Sequence, residues 1–248
     1  MKSSPSSPAS QTDSLGAVMA VTILALASLA ETRDSDTGKH VLRVQHYVRA
    51  LALRLRHHPR FESEFSDLFI SQLVVCVPLY DMGTIGIPDR ILLKPGRLTP
   101  AEYELMKTHT TLAYEALVQA EQTLGLQAEQ LQILKDIAYS HQEKWDGSGY
   151  PQGLAGNGIP ASARLVAVAD VYDALISDRV YKSGVSHEVA LGIILQGHAS
   201  HFDPDIVDAF VDIQDDIKVI ARRFADTDQD MQKKMEYMAN AIAETTEL

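Results

Sequence analysis

Cysteine is almost absent from this chain of 248 residues, which contains one. A disulfide framework within the chain is therefore excluded, because a disulfide needs a pair of thiols. The single thiol, Cys76, lies in the apolar run Leu73–Val77, and no neighbour in sequence would lower its pKa. We therefore predict that Cys76 is a small core residue and not a nucleophile.

Basic residues are also scarce. The chain has 22 Lys and Arg against 33 Asp and Glu, which gives a formal net charge of −11. Sliding along DNA or coating an anionic membrane requires a basic surface, so we expect neither a nucleic-acid polymer nor an anionic membrane as a partner. A small phosphate ligand is still allowed, since it needs only a local cationic pocket.

Long hydrophobic runs are missing as well. The apolar segment Leu15–Ala30 has 16 residues, which is short for a membrane span of about 20. It ends like a signal-peptide core, but Asp13 precedes it and Lys2 is the only basic residue before it. We interpret it as a buried first helix behind a disordered Ser/Pro-rich leader (residues 1–14) of a cytoplasmic protein without a membrane span. Secretion is the alternative.

Alternating strand patterns and internal repeats are not found, whereas helical periodicity dominates the chain. Thr99, Pro100 and Glu102 have the pattern of a capping box at a helix start. Further helices are predicted at His40–His57, Phe61–Leu79, Leu126–Lys144 and Ala161–Ser177, with caps at Ser186 and Asp203 and a loop at Gly83–Gly96. We predict an all-α fold, with one domain over residues 15–225 and an amphipathic helix or tail over residues 226–248.

Histidines and aspartates recur within these helical patterns. Asp81 and Asp170 stand in apolar surroundings, where an unpaired carboxylate is expensive to bury. His109 and His141 each follow helical sequence, so the donors could gather around a metal inside a helix bundle. Taken singly, each has a simpler explanation, since Asp170 could pair with Arg164 or Arg179. Spacing alone leaves both interpretations open.

The stretch His141–Pro151 carries more information than any other. It runs from a helix end into a glycine-rich loop. Six further landmarks occur along the chain, at Asp36–His40, Asp81–Asp89, Leu93–Gly96, Lys107–His109, Val168–Leu175 and His201–Pro204. Together these stretches resemble the HD-GYP family of metal-dependent phosphodiesterases, a branch of the HD superfamily. The match extends from about Thr32 to about Ala225. The branch is similar to the one found behind receiver domains in bacterial response regulators.

The resemblance implies an all-α bundle with a buried metal site. Relatives in this family hydrolyse cyclic di-GMP, and some hydrolyse the mixed cyclic GMP-AMP dinucleotide. The resemblance implies one or two ions of iron or manganese, with Asp81 as the bridging and catalytic residue. The implied metal ligands are His40, Asp81, His109, His141 and Asp170.

Substrate and partner contacts are also implied by the resemblance. Arg179 and Lys182 match residues that contact the substrate phosphate, although basic residues at a helix end are also common without a ligand. Tyr150 belongs to the loop Gly149–Pro151, which shapes the site in the family and is implicated in contacts with diguanylate cyclase domains. A homodimer is a further expectation.

Several positions depart from the family pattern. The defining His-Asp pair is here Tyr80-Asp81, and a phenol with a pKa of about 10 is a poor ligand unless a metal such as ferric iron deprotonates it. Thr84 replaces an expected lysine, Gln142 replaces the second of two histidines, and Asp36 replaces a glutamate. Because Asp36 and Gln142 match the positions that hold a third metal in some relatives, we expect no trinuclear site.

The remaining donors leave two functional hypotheses. One metal could be held by Asp81, His109 and His141, whereas a second ion would lack its fourth protein ligand. The chain is then either a weakened cyclic di-GMP phosphodiesterase or a catalytically inactive module that binds a ligand or a partner. A purely structural bundle is a third interpretation, but it leaves the retained loop and basic residues unexplained.

Overall fold

The fold is built from helices. The computed structural model describes residues 18, 21–31, 33, 39–125, 129–178 and 183–246, and these residues form no β-strand. The helices are α1 (Val21–Glu31), α2 (His40–Leu55), α3 (Asp67–Cys76), α4 (Asp89–Leu92), α5 (Pro100–Leu124), α6 (Glu129–Ser140), α7 (Ala161–Ile176), α8 (His187–Gln196), α9 (Pro204–Asp212), α10 (Gln214–Arg223) and α11 (Asp228–Thr246). The predicted all-α class is therefore confirmed.

Local capping explains where several helices begin. Thr99 accepts a hydrogen bond from the backbone N–H of Glu102, and the Glu102 side chain accepts one from the backbone N–H of Thr99, so the predicted capping box is present. The hydroxyl of Ser186 accepts from the N–H of Val189, and the Asp203 carboxylate accepts from the N–H of Asp205. These predicted caps are confirmed because each depends on residues only two or three positions apart.

Several of the predicted boundaries are wrong, and the helix predicted to end at Lys144 ends at Ser140. Helix α3 begins at Asp67, after an N-cap at Ser66, and not at Phe61. Phe61 and Phe65 are buried as expected, but they stack on each other from a segment of turns. The predicted loop Gly83–Gly96 contains a 3₁₀ turn, Met82–Gly86, and the single-turn helix α4.

Helices α2 and α7 form the centre of the core. On α2 the residues Val44, Tyr47, Val48 and Leu51 are fully buried, and α7 is buried around most of its circumference. Burying one such aliphatic side chain contributes about 1.5–3 kcal/mol, so this pair supplies much of the stability. Because α2 begins with His40 and α7 carries Asp170, the rigid core also positions donors of the proposed site.

A glycine allows two other donors to meet. The 3₁₀ turn Met82–Gly86 lies directly on α5, and a Cβ atom at Gly83 would come within 1.9 Å of the carbonyl oxygen of His109. No side chain fits in that space, so only glycine permits the contact. The close approach brings Asp81, which precedes the turn, beside His109.

The first helix is less buried than the sequence predicts. In α1 the side chains of Ala27 and Ala30 are buried, but Val21, Leu26 and Leu29 are exposed. The interpretation of this segment as a buried helix is therefore wrong for one of its faces. Residues 1–17 lie outside the described part of the chain, so the predicted leader and the domain boundaries stay predictions.

Only one stretch of the described residues, Asp67–Gly86, is apolar and long enough to cross a membrane by length and composition. It consists of α3 and the turns that follow, and Leu73, Cys76 and Val77 within it belong to the hydrophobic core. Helices buried in a protein core often have such a length and composition. Cys76 is buried, as predicted, and burial raises the pKa of its thiol to about 11.

Candidate metal centre

Three of the predicted ligands converge at one point. Asp81 lies between two 3₁₀ turns, His109 is on α5, and His141 directly follows α6. The Nε2 atoms of His109 and His141 are 3.4 Å apart, and they lie 3.3 Å and 4.0 Å from Oδ1 of Asp81. All three ligand atoms lie within 4.8 Å of one another, which is the spacing of donors around a single cation.

Hydrogen bonds to backbone carbonyl oxygens fix the orientation of both imidazole rings. Nδ1 of His109 lies 2.8 Å from the carbonyl oxygen of Met106, and Nδ1 of His141 lies 3.1 Å from that of Ile137. A carbonyl oxygen only accepts, so each Nδ1 donates its proton, and the Nε2 lone pairs point toward each other and toward Asp81. Metal-ligating histidines are usually held by a hydrogen bond of this kind from the nitrogen that does not face the metal.

Electrostatics at this point also favour a cation. Burial, and then the neighbouring His109, lower the pKa of His141 to about 3, so its ring is neutral and its lone pair is available. Two facing lone pairs and a carboxylate would repel one another without a positive charge between them. Two imidazoles and one carboxylate suit iron, zinc or manganese, so the residues present fit a metal ion.

The other two predicted ligands, His40 and Asp170, meet at a different group. Nε2 of His40 lies 2.7 Å from the phenolic oxygen of Tyr80, and that hydroxyl donates to Oδ1 of Asp170 at 2.6 Å. Tyr80 is 3 % exposed, and its ring packs edge-on against His141. The phenol therefore stands between His40 and Asp170.

A buried ion pair holds His40 in place, and the sequence analysis missed it. Nδ1 of His40 lies 2.7 Å from the carboxylate of Asp173, which receives two hydrogen bonds from the guanidinium of Arg43. Burial would raise the pKa of Asp173, but His40 and Arg43 outweigh it and hold that pKa below its usual range. Asp173 follows Asp170 by three residues, and Arg43 follows His40 by three. On a helix this spacing places both on the side of the predicted ligands, a signal that could have revealed them.

The loop after His141 is held by a carboxylate that was also missed. Glu143 is 2 % exposed and accepts hydrogen bonds from the backbone N–H groups of Gln152, Gly153 and Leu154, at 2.7, 3.1 and 3.1 Å. Gly149 is needed beside it, because a Cβ atom there would come within 2.3 Å of the backbone nitrogen of Lys144. The buried carboxylate and the close approach at Gly149 therefore hold the loop in place.

This loop places Tyr150 next to the three converging ligands. The Tyr150 ring lies 6.2 Å from that of His109 and 6.3 Å from that of Tyr103, both edge to face. The ammonium of Lys107 lies 5.7 Å from the centre of each tyrosine ring. Burial raises the pKa of the Tyr150 hydroxyl, so it stays neutral. Tyr103 and Lys107, which the sequence analysis did not single out, add an aromatic and cationic edge to the site.

The remaining predicted residues divide into two groups. Arg179, Lys182 and Asp36 lie outside the described residues. Arg164, which the sequence allowed as a partner of Asp170, binds the carboxylate of Asp203 instead. Thr84 is buried, and its hydroxyl donates to the backbone carbonyl of Asp81, so it supports Asp81 through the main chain.

Comparison with known proteins shows the family of the chain. The profile of the HD domain family matches residues 25–206. A protein of Vibrio cholerae named probable cyclic di-GMP phosphodiesterase is 52% identical over 209 residues, which are 84% of this chain and 47% of the relative. A cyclic di-GMP phosphodiesterase of the same organism is 48% identical, over 83% of this chain and 42% of the relative. The chain therefore belongs to the HD domain family, in its HD-GYP branch.

A solved structure supports the same fold. The cyclic GMP-AMP specific phosphodiesterase of Vibrio cholerae matches with a TM-score of 0.52 at 15% identity, over 91% of this chain and 59% of that protein. At this identity the likeness concerns the fold alone. The chain spans less than half the length of the two curated relatives above.

Proposed function

We propose that this chain is a metal-dependent phosphodiesterase that hydrolyses cyclic di-GMP. The observation that carries the proposal is the convergence of Asp81, His109 and His141, whose ligand atoms lie within 4.8 Å of one another. The names of the similar proteins support the substrate class, since both curated relatives described above are named cyclic di-GMP phosphodiesterases. None of these names favours the alternative of an inactive module.

The chain's own residues have distinct roles in this proposal. Asp81, His109 and His141 hold the ion. A divalent cation there supplies Lewis-acid charge to a phosphoryl oxygen and lowers the pKa of a water molecule toward neutrality. Arg179 and Lys182 neutralise the other phosphate oxygens. Tyr150 offers an aromatic edge to the dinucleotide, and Glu143 holds the loop that carries Tyr150.

The finer expectations belong to the same proposal. Iron or manganese suits a site with two imidazoles and one carboxylate. The exposed part of the loop Gly149–Pro151 would contact a diguanylate cyclase domain, and the chain would act in the cytoplasm, as a homodimer. The mixed cyclic GMP-AMP dinucleotide is the second substrate to test, because the resemblance to the family implies it for some members.

Product analysis tests the proposal. The purified chain is incubated with cyclic di-GMP and manganese or ferrous iron, and the linear dinucleotide is the expected product. Asp81→Asn keeps the size of the side chain but removes its charge, so we expect a rate about 10²–10³-fold lower. Asp67→Asn is the matched control, since Asp67 is exposed and pairs with Arg56 at the start of α3. Ligand binding without any product in the metal-loaded protein would contradict the proposal and support the inactive alternative.

A further inference from the structure

The His40 half of the donor set is occupied by a side chain of the protein itself. Tyr80 reaches from the end of the 3₁₀ turn Val77–Leu79 into the space between α2 and α7. Its hydroxyl lies 2.7 Å from Nε2 of His40 and donates to Oδ1 of Asp170 at 2.6 Å. Nε2 of His40 and Oδ1 of Asp170 are 3.5 Å apart, so the phenol contacts both atoms that would face a cation on this side.

The hydrogen bonds of the Tyr80 hydroxyl allow it to occupy the place of an ion between His40 and Asp170, without binding an ion itself. A phenolic hydroxyl has one donor and can also accept, so it satisfies both neighbours at once. A cation between His40 and Asp170 would have to displace this hydroxyl, which lies within hydrogen-bond distance of both.

A buried ion pair behind His40 keeps Nε2 turned toward the phenol. Nδ1 of His40 lies 2.7 Å from the carboxylate of Asp173, so the opposite ring nitrogen, Nε2, faces Tyr80. The guanidinium of Arg43 is 3 % exposed and binds the same carboxylate, and Asp226 also pairs with it, so its charge is neutralised. Contacts that do not involve an ion therefore fix the direction of the His40 ring.

We propose that this chain holds a single metal ion, bound by Asp81, His109 and His141, and that the hydroxyl of Tyr80 takes the place of a second ion between His40 and Asp170. This inference rests on the proposed function for the identity of the site as a metal centre. It changes the role of two predicted ligands. His40 and Asp170 then position Tyr80, and through its ring they position His141, against which that ring packs.

Counting the metal in each variant tests the inference. The purified chain is loaded with manganese and freed of excess metal, and its metal content is measured by mass spectrometry against protein concentration. We expect one ion per chain in the unmodified protein, one in Tyr80→Phe, one in Asp170→Asn and two in Tyr80→His. Tyr80→Phe is the matched control for Tyr80→His, because it removes the hydroxyl without offering a ligand. Two ions in the unmodified protein would overturn the inference, and so would loss of the ion in Asp170→Asn.

Circular dichroism shows whether Tyr80→His folds. If it does not fold, a spectroscopic measurement on the unmodified protein and Tyr80→Phe tests the inference instead. Protein loaded with iron and oxidised should show no strong visible absorption from a bound phenolate. An intense visible band that disappears in Tyr80→Phe would mean that Tyr80 is itself a ligand, which overturns the inference. The two proposals can fail separately: one bound ion without hydrolysis contradicts only the proposed function, whereas two bound ions with hydrolysis contradict only the single-ion inference.

Discussion

The two halves of the donor set contain the same kinds of residue but face different partners. In one half, two histidines turn Nε2 toward Asp81 and toward each other, and the nearest donor atoms are about as far apart as ligands of one cation. In the other, Nε2 of His40 meets the hydroxyl of Tyr80. A histidine and an aspartate close together in a buried site therefore do not by themselves indicate a metal. What decides is the group that lies between them.

The largest effect is expected from breaking the first half. His141→Ala removes a buried ligand and leaves the carboxylate of Asp81 with one imidazole, too few donors to retain a metal. We expect the metal content to fall to zero and hydrolysis to fall by about 10³-fold. Metal analysis and product analysis on the same sample measure both.

A matched histidine controls for nonspecific loss of metal. His198 is partly exposed and lies near Asp208 at the surface, 3.6 Å from its carboxylate. His198→Ala should keep its metal and its rate. Retention of metal and full activity in His141→Ala would show that the ion binds elsewhere and that the first half is not the metal site.

Restoring the three residues that the family pattern expects should produce the next largest effect. The triple variant Tyr80→His, Thr84→Lys and Gln142→His restores an expected ligand, a cation and a further imidazole beside the site. Since changes in the groups that surround metal ligands alter activity by about 10–100-fold, we expect hydrolysis of cyclic di-GMP to rise by about 100-fold. Initial rates of both proteins under saturating manganese measure the change. An unchanged rate in a folded triple variant would mean that other residues limit the reaction.

A smaller effect, on stability, should follow from breaking the support behind His40. Arg43→Met leaves the buried carboxylate of Asp173 with His40 and the hydroxyl of Ser177 as partners but without its cation, and removing one member of a buried ion pair costs about 3–5 kcal/mol. Arg54→Met is the matched control, because the Arg54–Asp212 pair is about half exposed and should contribute less than about 1 kcal/mol. Urea unfolding followed by circular dichroism measures both free energies.

The metal content of Arg43→Met tests whether the two halves are independent. If only the first half binds a cation, the folded fraction of this variant should still carry one ion per chain. A loss of metal would mean that the Arg43–Asp173 pair supports the ligands of the first half, and that the two halves are not independent. Equal destabilisation by Arg43→Met and Arg54→Met would mean that burial does not set the strength of these ion pairs.

The fold was more predictable from the sequence than the site. The helix starts at Thr99 and Ser186 were predictable because capping is a local interaction. The start of α3 was misplaced because burial of Phe61 looks the same in a turn as in a helix, and periodicity alone does not separate them. In the site, Asp81, His109 and His141 were predicted through the family resemblance. The contact of Arg43 with Asp173 joins residues 130 positions apart, so no local pattern reveals its geometry.

The smallest of these effects is expected in the loop beside the first half. Glu143→Gln keeps the side-chain shape but turns one acceptor oxygen into a donor amide, which then faces an N–H group of the loop. An unsatisfied buried group of this kind costs about 1–3 kcal/mol. We expect faster hydrogen exchange at residues 152–154 and a weaker affinity for the dinucleotide, with the metal content unchanged. Glu62→Gln, at an exposed position, is the control. Unchanged exchange at residues 152–154 would show that other contacts hold the loop, and Glu143 would then have no part in positioning Tyr150.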